Sequence, residues 1–351
     1  MSVPPPSSVH RSRATIRDVA TLAGVGIKTV SRVINDEANV SPQTRDRVER
    51  AVSALNFKPH LGAGSLRRGD RKTQTLGLLL DAVDNPFSAA VNRAVEKVAA
   101  QRGTAVFAAS FDDDPDRERA LIEAFTRRRV DGLILTSVST DHGYLQAERE
   151  QGMVVVFVDR PPVGLLADTV LTDNHEAAEA ATRHLLAHGH RRIAYLGDDL
   201  AIDTAVRRRA GFTATMRSAG LLSEARYADN LTCELQAYAA VEQLMQLDPR
   251  PTALFASQNL VTLGALRALH HLDLQDEVAL VGFDDLPLAD LIRPGVTVMA
   301  QEPGQIGTLA AARLFERMDG DTSPASTQVV PAHLVVRGSG EIRPREAPGV
   351  P

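Results

Sequence analysis

Apolar positions recur at helical spacing in the first part of the chain and change to strand-length runs beyond residue 74. Ile16, Val19, Ala20 and Ala23 fall on one helical face, Val30, Val33 and Ile34 form a second set, and Val48, Val52 and Leu55 a third. Ser41-Pro42 reads as the start of the third helix, with serine as cap and proline at the first helical position, where its missing N–H is no loss. Three such helices predict a small all-α bundle. Further on, TLGLLLD (75–81) precedes a helical stretch over 86–102, and TAVFAAS (104–110) precedes one over 115–129. GLILTS and VVVFVD complete a first set of strands, and IAYLGD, ALFAS and VALVGFD form a second, with helical stretches over 175–188, 204–219 and 260–270. This alternation predicts parallel, doubly wound sheets, and two sets of similar length predict two lobes.

Composition adds a division of charge. The net charge of −5 conceals a basic head, residues 1–72, with 13 Lys+Arg against 6 Asp+Glu, on an acidic body. That asymmetry suits a polyanion-binding module joined to a sensor or an enzyme. Residues 1–12 are rich in Pro and Ser and read as a tail. Residues 57–72 read as a connector, with Pro59, Gly62, Gly64 and Gly69 among Lys58, Arg67, Arg68, Arg71 and Lys72. No apolar run approaches a membrane span and the first residues lack a secretory stretch, so the expected compartment is the cytoplasm. The single cysteine, Cys233, is expected to be a packing residue.

An enzyme reading finds no support. The turn after the first strand is DAVDNPF rather than G-x-G-x-x-G, and neither a phosphate-cradling lysine motif nor a G-x-S-x-G elbow occurs. No cofactor is expected.

Residues 15–36, TIRDVATLAGVGIKTVSRVIND, have the layout of a helix-turn-helix. Gly24 suits the left-handed backbone of a tight interhelical turn, and Ala20 and Val30 permit close crossing. On this layout Ile27, Lys28 and Arg32 project toward a major groove, Arg32 able to make a bidentate pair with guanine, while Thr15, Thr29 and Ser31 can donate to phosphates. The residues alone leave open a three-helix bundle with no nucleic-acid role.

The segment resembles the N-terminal signature of the lactose-repressor/galactose-repressor (LacI/GalR) family, T-I-x-D-V-A-x-x-A-G-V-S-x-x-T-V-S-R-V-L-N. Thr15, Ile16, Asp18, Val19, Ala20, Ala23, Gly24, Val25, Thr29, Val30, Ser31, Arg32, Val33 and Asn35 meet its fixed positions. Gly26 departs from it: the family usually has a capping serine there, and glycine offers no side-chain acceptor. The resemblance implies a DNA-binding transcriptional repressor. It extends to about residue 340 and implies an N-terminal all-α helix-turn-helix domain followed by an α/β periplasmic-binding-protein-like domain of two doubly wound lobes. HLGAGSL (60–66) stands at the family's hinge, with Leu66 at the minor-groove wedge. Gly62 and Gly64 disfavour a hinge helix off DNA, and a plain flexible linker is the alternative.

By the same resemblance, a small, sugar-like effector is expected to be held by Phe87 and Ser88 of DNPFS, by the Asp159-Arg160 pair, by Arg208 of RRRAGF, by Gln258, and by Asp284 of GFDD. Ser88 replaces a second aromatic, and Gln258 and Asn259 replace the usual N-D pair. Arg207 and Arg209 are expected in solvent, Asp285 as a turn cap, and Asp173 and Asn174 in a structural role at the lobe crossover. His184, His188 and His190 match the family's H-L-x-x-x-G-H helix end, so no metal site is expected. The implied organisation is a tail over 1–12, a helix-turn-helix domain over 13–58, a hinge over 59–72 and an effector-binding and dimerisation domain over 73–340. Its N-lobe spans about 73–165 and 297–327 and its C-lobe about 166–296 and 328–340, with a tail over 341–351. That tail lacks leucine heptads, so no tetramer helix is expected. The implied partners are a palindromic double-stranded operator, the effector and a second copy of the chain. Other readings are a solute-binding protein without a DNA role and a purine- or corepressor-responsive regulator.

Overall fold

The structure, a computed structural model, describes residues 14–34, 37, 39–58 and 73–345. Asn35 and Leu66 lie outside the described residues. Two compact units divide between Thr73 and Gln74.

The first unit holds α1 (Ile16–Ala23), α2 (Ile27–Ile34) and α3 (Pro42–Ala54). Thr15 starts α1 with a capping box: its backbone N–H donates to Asp18 Oδ2 at 2.7 Å and its Oγ1 accepts from the Asp18 amide. The Thr15 backbone N–H, and after it the Thr15 hydroxyl, donate to the Asp18 carboxyl and hold it below its usual range. Gly24 ends α1 at φ +63°, a left-handed turn whose amide donates to the carbonyls of Ala20 and Thr21. Ser41 caps α3 ahead of Pro42. Val19, Ala20, Ala23, Val30, Val33, Val48 and Ala51 form the buried core; of the positions anticipated from helical spacing, Ile16, Ile34, Val52 and Leu55 are only partly buried against it, and Ala51 was not anticipated.

The second unit contains two six-stranded sheets. The strands of the first are β1 (Thr75–Leu80), β2 (Ala105–Ser110), β3 (Gly132–Leu135), β4 (Val154–Val158), β5 (Asp168–Thr172) and β11 (Thr327–Val330), ordered β11-β5-β4-β3-β1-β2 and all parallel. Those of the second are β6 (Ile193–Leu196), β7 (Arg226–Ala228), β8 (Ala253–Ala256), β9 (Ala279–Phe283), β10 (Thr297–Ala300) and β12 (His333–Val335), ordered β12-β10-β9-β8-β6-β7, with only β12 antiparallel. Continuous apolar runs such as Leu76–Leu80 and Val155–Val158 are what strands covered on both faces require. α4 (Pro86–Gln101) and α11 (Pro303–Met318) cover one face of the first sheet, and α5 (Pro115–Arg127) the other. α6 (Gln146–Glu150) is a short helix ahead of β4. α7 (Asn174–Ala187) and α8 (Asp203–Ser218) cover one face of the second sheet, α9 (Glu234–Met245) and α10 (Asn259–His271) the other. Gly211 lets α8 cross α7 closely, since a Cβ there would lie 2.2 Å from the His175 carbonyl oxygen. No helix among the described residues is long and apolar enough to cross a membrane.

The chain passes between lobes three times, after β5, β10 and β11, and this moves the expected boundaries. Residues 168–172 belong to the N-lobe, because β5 pairs with β4 and β11 there. Residues 297–300 belong to the C-lobe as β10, and 328–330 to the N-lobe within β11. Residues 341–345 are not tail: Glu341 accepts from Thr297 Oγ1, and the Ile342 carbonyl meets His190 Nε2 at 2.7 Å. Cys233 is exposed rather than packed, at the N-cap position of α9.

Candidate functional site

In the first unit α2 presents a mixed outer surface. Ile27, Lys28 and Arg32 are exposed, with Ile27 41% accessible, and Thr29 is half-buried. Arg32 Nε lies 3.7 Å from Glu37 Oε2 in an exposed pair. The remaining two expected phosphate donors are Ser31 and Thr15. Ser31 is only 8% accessible. The Thr15 hydroxyl donates to Asp18 Oδ2 at 2.7 Å, so its proton is engaged in the cap. Gly26 opens α2 through its carbonyl, which accepts from Thr29 and Val30, and a Cβ there would meet nothing within 4 Å.

In the second unit one cavity between the lobes is lined by all seven residues singled out from the sequence: Phe87, Ser88, Asp159, Arg160, Arg208, Gln258 and Asp284. Strand ends and helix starts place them. Asp159 and Arg160 follow β4, Asp284 follows β9, Phe87 and Ser88 open α4, Gln258 caps α10, and Arg208 lies on α8 facing inward. Open α/β sheets place ligands at this end of their strands.

The two guanidiniums are built in. Arg208, 6% accessible, donates through Nε to Asn174 Oδ1 at 2.7 Å and through Nη1 to the Ser257 carbonyl at 2.8 Å, with its guanidinium carbon 3.8 Å from the Phe283 ring centroid. Asn174 is thus the residue that orients Arg208. Arg160, 8% accessible, donates through Nη1 to Asp113 Oδ1 at 3.0 Å, while its Nε has no hydrogen-bond acceptor and lies 3.7 Å from Asp159 Oδ2. Burial opposes its charge, and Asp159 and Asp113 more than offset that. Arg207 pairs with Asp203 on the surface, but Arg209, expected in solvent, is half-buried against Asp229 and the Tyr227 ring.

The carboxylates are under strain of another kind. Burial pushes the Asp284 carboxyl up, against the pull of Arg208 and of Gln301, whose Nε2 donates to Asp284 Oδ1 at 2.7 Å. The cavity also includes Asp81, Asp113 and Asp198, which sequence reading missed. Burial, then the charge of Asp113, pushes Asp81 up to about 6, and burial likewise raises Asp198.

Gln301 and Asn85 were missed as well. Gln301 sits on the second crossover and accepts from Thr172 Oγ1 at the start of the first. Asp173, at that first crossover, accepts from the Ala332 amide of the third at 2.7 Å. Asn85 caps α4 and accepts from Asn259 Nδ2 at 2.9 Å, a direct bond between lobes. Asp285 accepts from the Leu286 amide and from both Arg337 Nη atoms, a local tie rather than a lining group. The histidines serve the C-lobe: His184 pairs with Glu341, and His190 bonds Thr252 and Ile342.

Residues 15–60 match the family model for bacterial regulatory proteins, lacI family, and residues 182–340 that for a periplasmic binding protein-like domain. The HTH-type transcriptional regulator PtxS of Pseudomonas plecoglossicida is 35% identical over 96% of this chain and 98% of its own length. The chain belongs to the lacI family. The ribose operon repressor of Escherichia coli is 32% identical over 93% of the chain and 99% of its own length. The solved complex of the transcriptional regulator CelR with cellobiose is 31% identical, covers 93% of this chain and 100% of that one, and superposes with a TM-score of 0.68. Lac-family relatives are transcriptional regulators, and this chain is a DNA-binding transcriptional regulator and no enzyme.

Proposed function

We propose that this regulator represses transcription as a homodimer on a near-palindromic operator and that a small polyhydroxylated effector, sugar-like in chemistry, controls it from the cleft. The observation that carries this reading is the convergence of Phe87, Asp159, Arg160, Arg208, Gln258 and Asp284 from both lobes on one cavity. Carboxylates and guanidiniums at fixed strand and helix ends bind vicinal hydroxyls in bidentate fashion, and Phe87, the one aromatic ring among the described lining residues, offers an apolar face to a ring. A ligand touching both lobes favours one degree of closure over another, and three crossovers tied by Thr172–Gln301 and Asp173–Ala332 bonds are where that change concentrates. Dimerisation converts closure into spacing of the two DNA-reading units. Arg32, Lys28, Ile27 and Thr29 of α2 meet the major groove, Gly26 brings backbone to the phosphates, and Thr15 and Ser31 hold the reading helices in place. Asn35 and Leu66 join that contact in the family's pattern. The regulator acts on cytoplasmic DNA.

Selection of bound duplexes from a random pool, followed by gel shift with sugars added, tests the whole reading. The expected result is enrichment of an inverted repeat whose complex dissociates on adding one sugar class. A pool that stays unenriched removes the DNA-reading assignment, whereas an enriched repeat indifferent to every sugar removes only the effector assignment.

A further inference from the structure

We infer that the effector carries a cationic amine, seated against Asp81, Asp113 and Asp198, with its hydroxyls toward Asp159, Arg208 and Asp284. The inference rests on the effector reading above and names the class of molecule.

The first ground is charge balance. Five carboxylates line the cavity, those of Asp81, Asp113, Asp159, Asp198 and Asp284, against the two guanidiniums of Arg160 and Arg208. Both guanidiniums are already engaged: Arg208 with Asn174 and the Ser257 carbonyl, Arg160 with Asp113. Among the described residues no ion pair reaches Asp81 or Asp198. Asp81 accepts the Asp113 amide at 3.0 Å, and Asp198 that of Asp199 at 2.7 Å. One backbone N–H leaves most of the lone pairs of each carboxylate open to a further donor.

The second ground is that the cavity is built to receive a polar molecule. Arg160 is nine-tenths buried, lines it and keeps its Nε without an acceptor, a shortfall of partners that points to a polar occupant beside its guanidinium. The two grounds divide the ligand between them: hydroxyl oxygen for Arg160 and Arg208, and positive charge for the end bounded by Asp81, Asp113 and Asp198.

The competing classes fare worse on the same observations. A sugar acid would add a negative charge to a cleft that already has three more carboxylates than guanidiniums. A neutral sugar would leave Asp81 and Asp198 facing Asp113 with no direct ion pair among the described residues, only the longer-range pull of Arg160 and, on Asp198, of Arg208. An ammonium group placed there satisfies several acceptors at once with three N–H donors. Burial first, and then the charge of Asp113, raises the proton affinity of Asp81 against the opposing pull of Arg160.

The test uses the full chain and sets of isosteres that differ at one group: D-glucosamine, D-galactosamine and D-mannosamine, each against its parent hexose and its N-acetyl form, with gluconate as the acid. Binding is read by calorimetry at pH 7.5 and by the shift in Tm. At least one amine is expected to bind about tenfold or more tighter than its parent, a gap of about 1.4 kcal/mol, with the N-acetyl form losing that advantage. In Asp198→Asn, which keeps size and an acceptor, the amine-to-parent ratio is expected to fall several-fold. Parent hexose or gluconate binding as tightly as the amine overturns the inference and leaves the sensor reading standing. Binding by none of the panel counts against the sensor reading itself. An amine preference unchanged in both Asp198→Asn and Asp81→Asn overturns the placement of the charge.

Discussion

Asp159 and Asp284 hold matching places in the two lobes. Each follows a central strand, each has a left-handed backbone, φ +66° and +68°, and each donates its amide to a neighbouring strand, Asp159 to Val170 and Asp284 to Met299, both at 2.9 Å. Aspartate tolerates the left-handed region better than most residues, and residues in such conformations cluster at ligand sites. The paired turns aim one carboxylate from each lobe at the same cavity, and the charge of Asp159 helps raise the proton affinity of Asp284.

Asp284→Asn separates ligand contact from folding. Asparagine keeps an oxygen for Gln301 Nε2, so Tm is expected to stay within a few degrees or rise, because a buried charge is gone. Effector affinity is expected to fall roughly ten- to hundredfold, the loss of one charge-assisted hydrogen bond at about 1.5–3 kcal/mol. Calorimetry with the effector checks this, and wild-type affinity would place the ligand away from the β9 turn.

Arg208→Ala, in contrast, is expected to damage the fold. It strips the donors from Asn174 Oδ1 and the Ser257 carbonyl, removes a cation from the Phe283 face and leaves Asp284 with Gln301 but without its nearby positive charge. A stability loss of about 2–4 kcal/mol follows from orphaned buried acceptors and an unpaired charge. Urea unfolding measures it, and a neutral result would mean that water replaces the guanidinium.

The pH dependence of the ligand-free protein has a sign that can be worked out for Asp81. Its folded pKa, about 6, lies above its ordinary value of 3.8, with Asp113, Asp198 and Arg160 as the charged groups around it. The stability it contributes is therefore complete below about pH 4 and is lost as pH rises through 6. Asp81→Asn, which keeps an acceptor for the Asp113 amide, is expected to flatten the fall in Tm between pH 4 and 7 relative to wild type. Parallel Tm profiles for the two proteins would show that Asp81 titrates normally.

The sequence was legible where one local rule suffices. The apolar runs of β1, β4 and β9 and the caps at Ser41 and Gly24 announce themselves through burial and turn chemistry. β7 and β12 are three residues each and only half-buried or exposed, and β11 is mostly exposed, so their apolar signal is weak. β5, DTVLT, has a polar start and end that suggest a loop, and Asp168 is polar because Arg313 and Arg317 pair with it. Which lobe these strands join depends on crossovers, a long-range matter that spacing does not encode. The cavity shows the same limit: Asp159, Arg208 and Asp284 stand in recognisable motifs, whereas Asp81, Asp113 and Asp198 are ordinary loop aspartates until the fold collects them.

The DNA-reading assignment turns on Arg32. Its side chain is about half exposed, and its contact with Glu37 at 3.7 Å is a surface pair, worth about 0–1 kcal/mol. Arg32→Ala should therefore leave Tm nearly unchanged. On a selected duplex it is expected to cost about 1–3 kcal/mol and to relax preference for guanine at one position of each half-site. Lys28→Ala serves as the contrast: if its ammonium meets phosphate, affinity falls evenly for all sequences and the salt dependence becomes shallower. Fluorescence anisotropy over a series of salt concentrations, with the selected duplex and with single-base variants, distinguishes the two patterns. If Arg32→Ala instead weakens every duplex alike and lowers the salt slope, its guanidinium meets the backbone, and base reading must fall to other groups on α2.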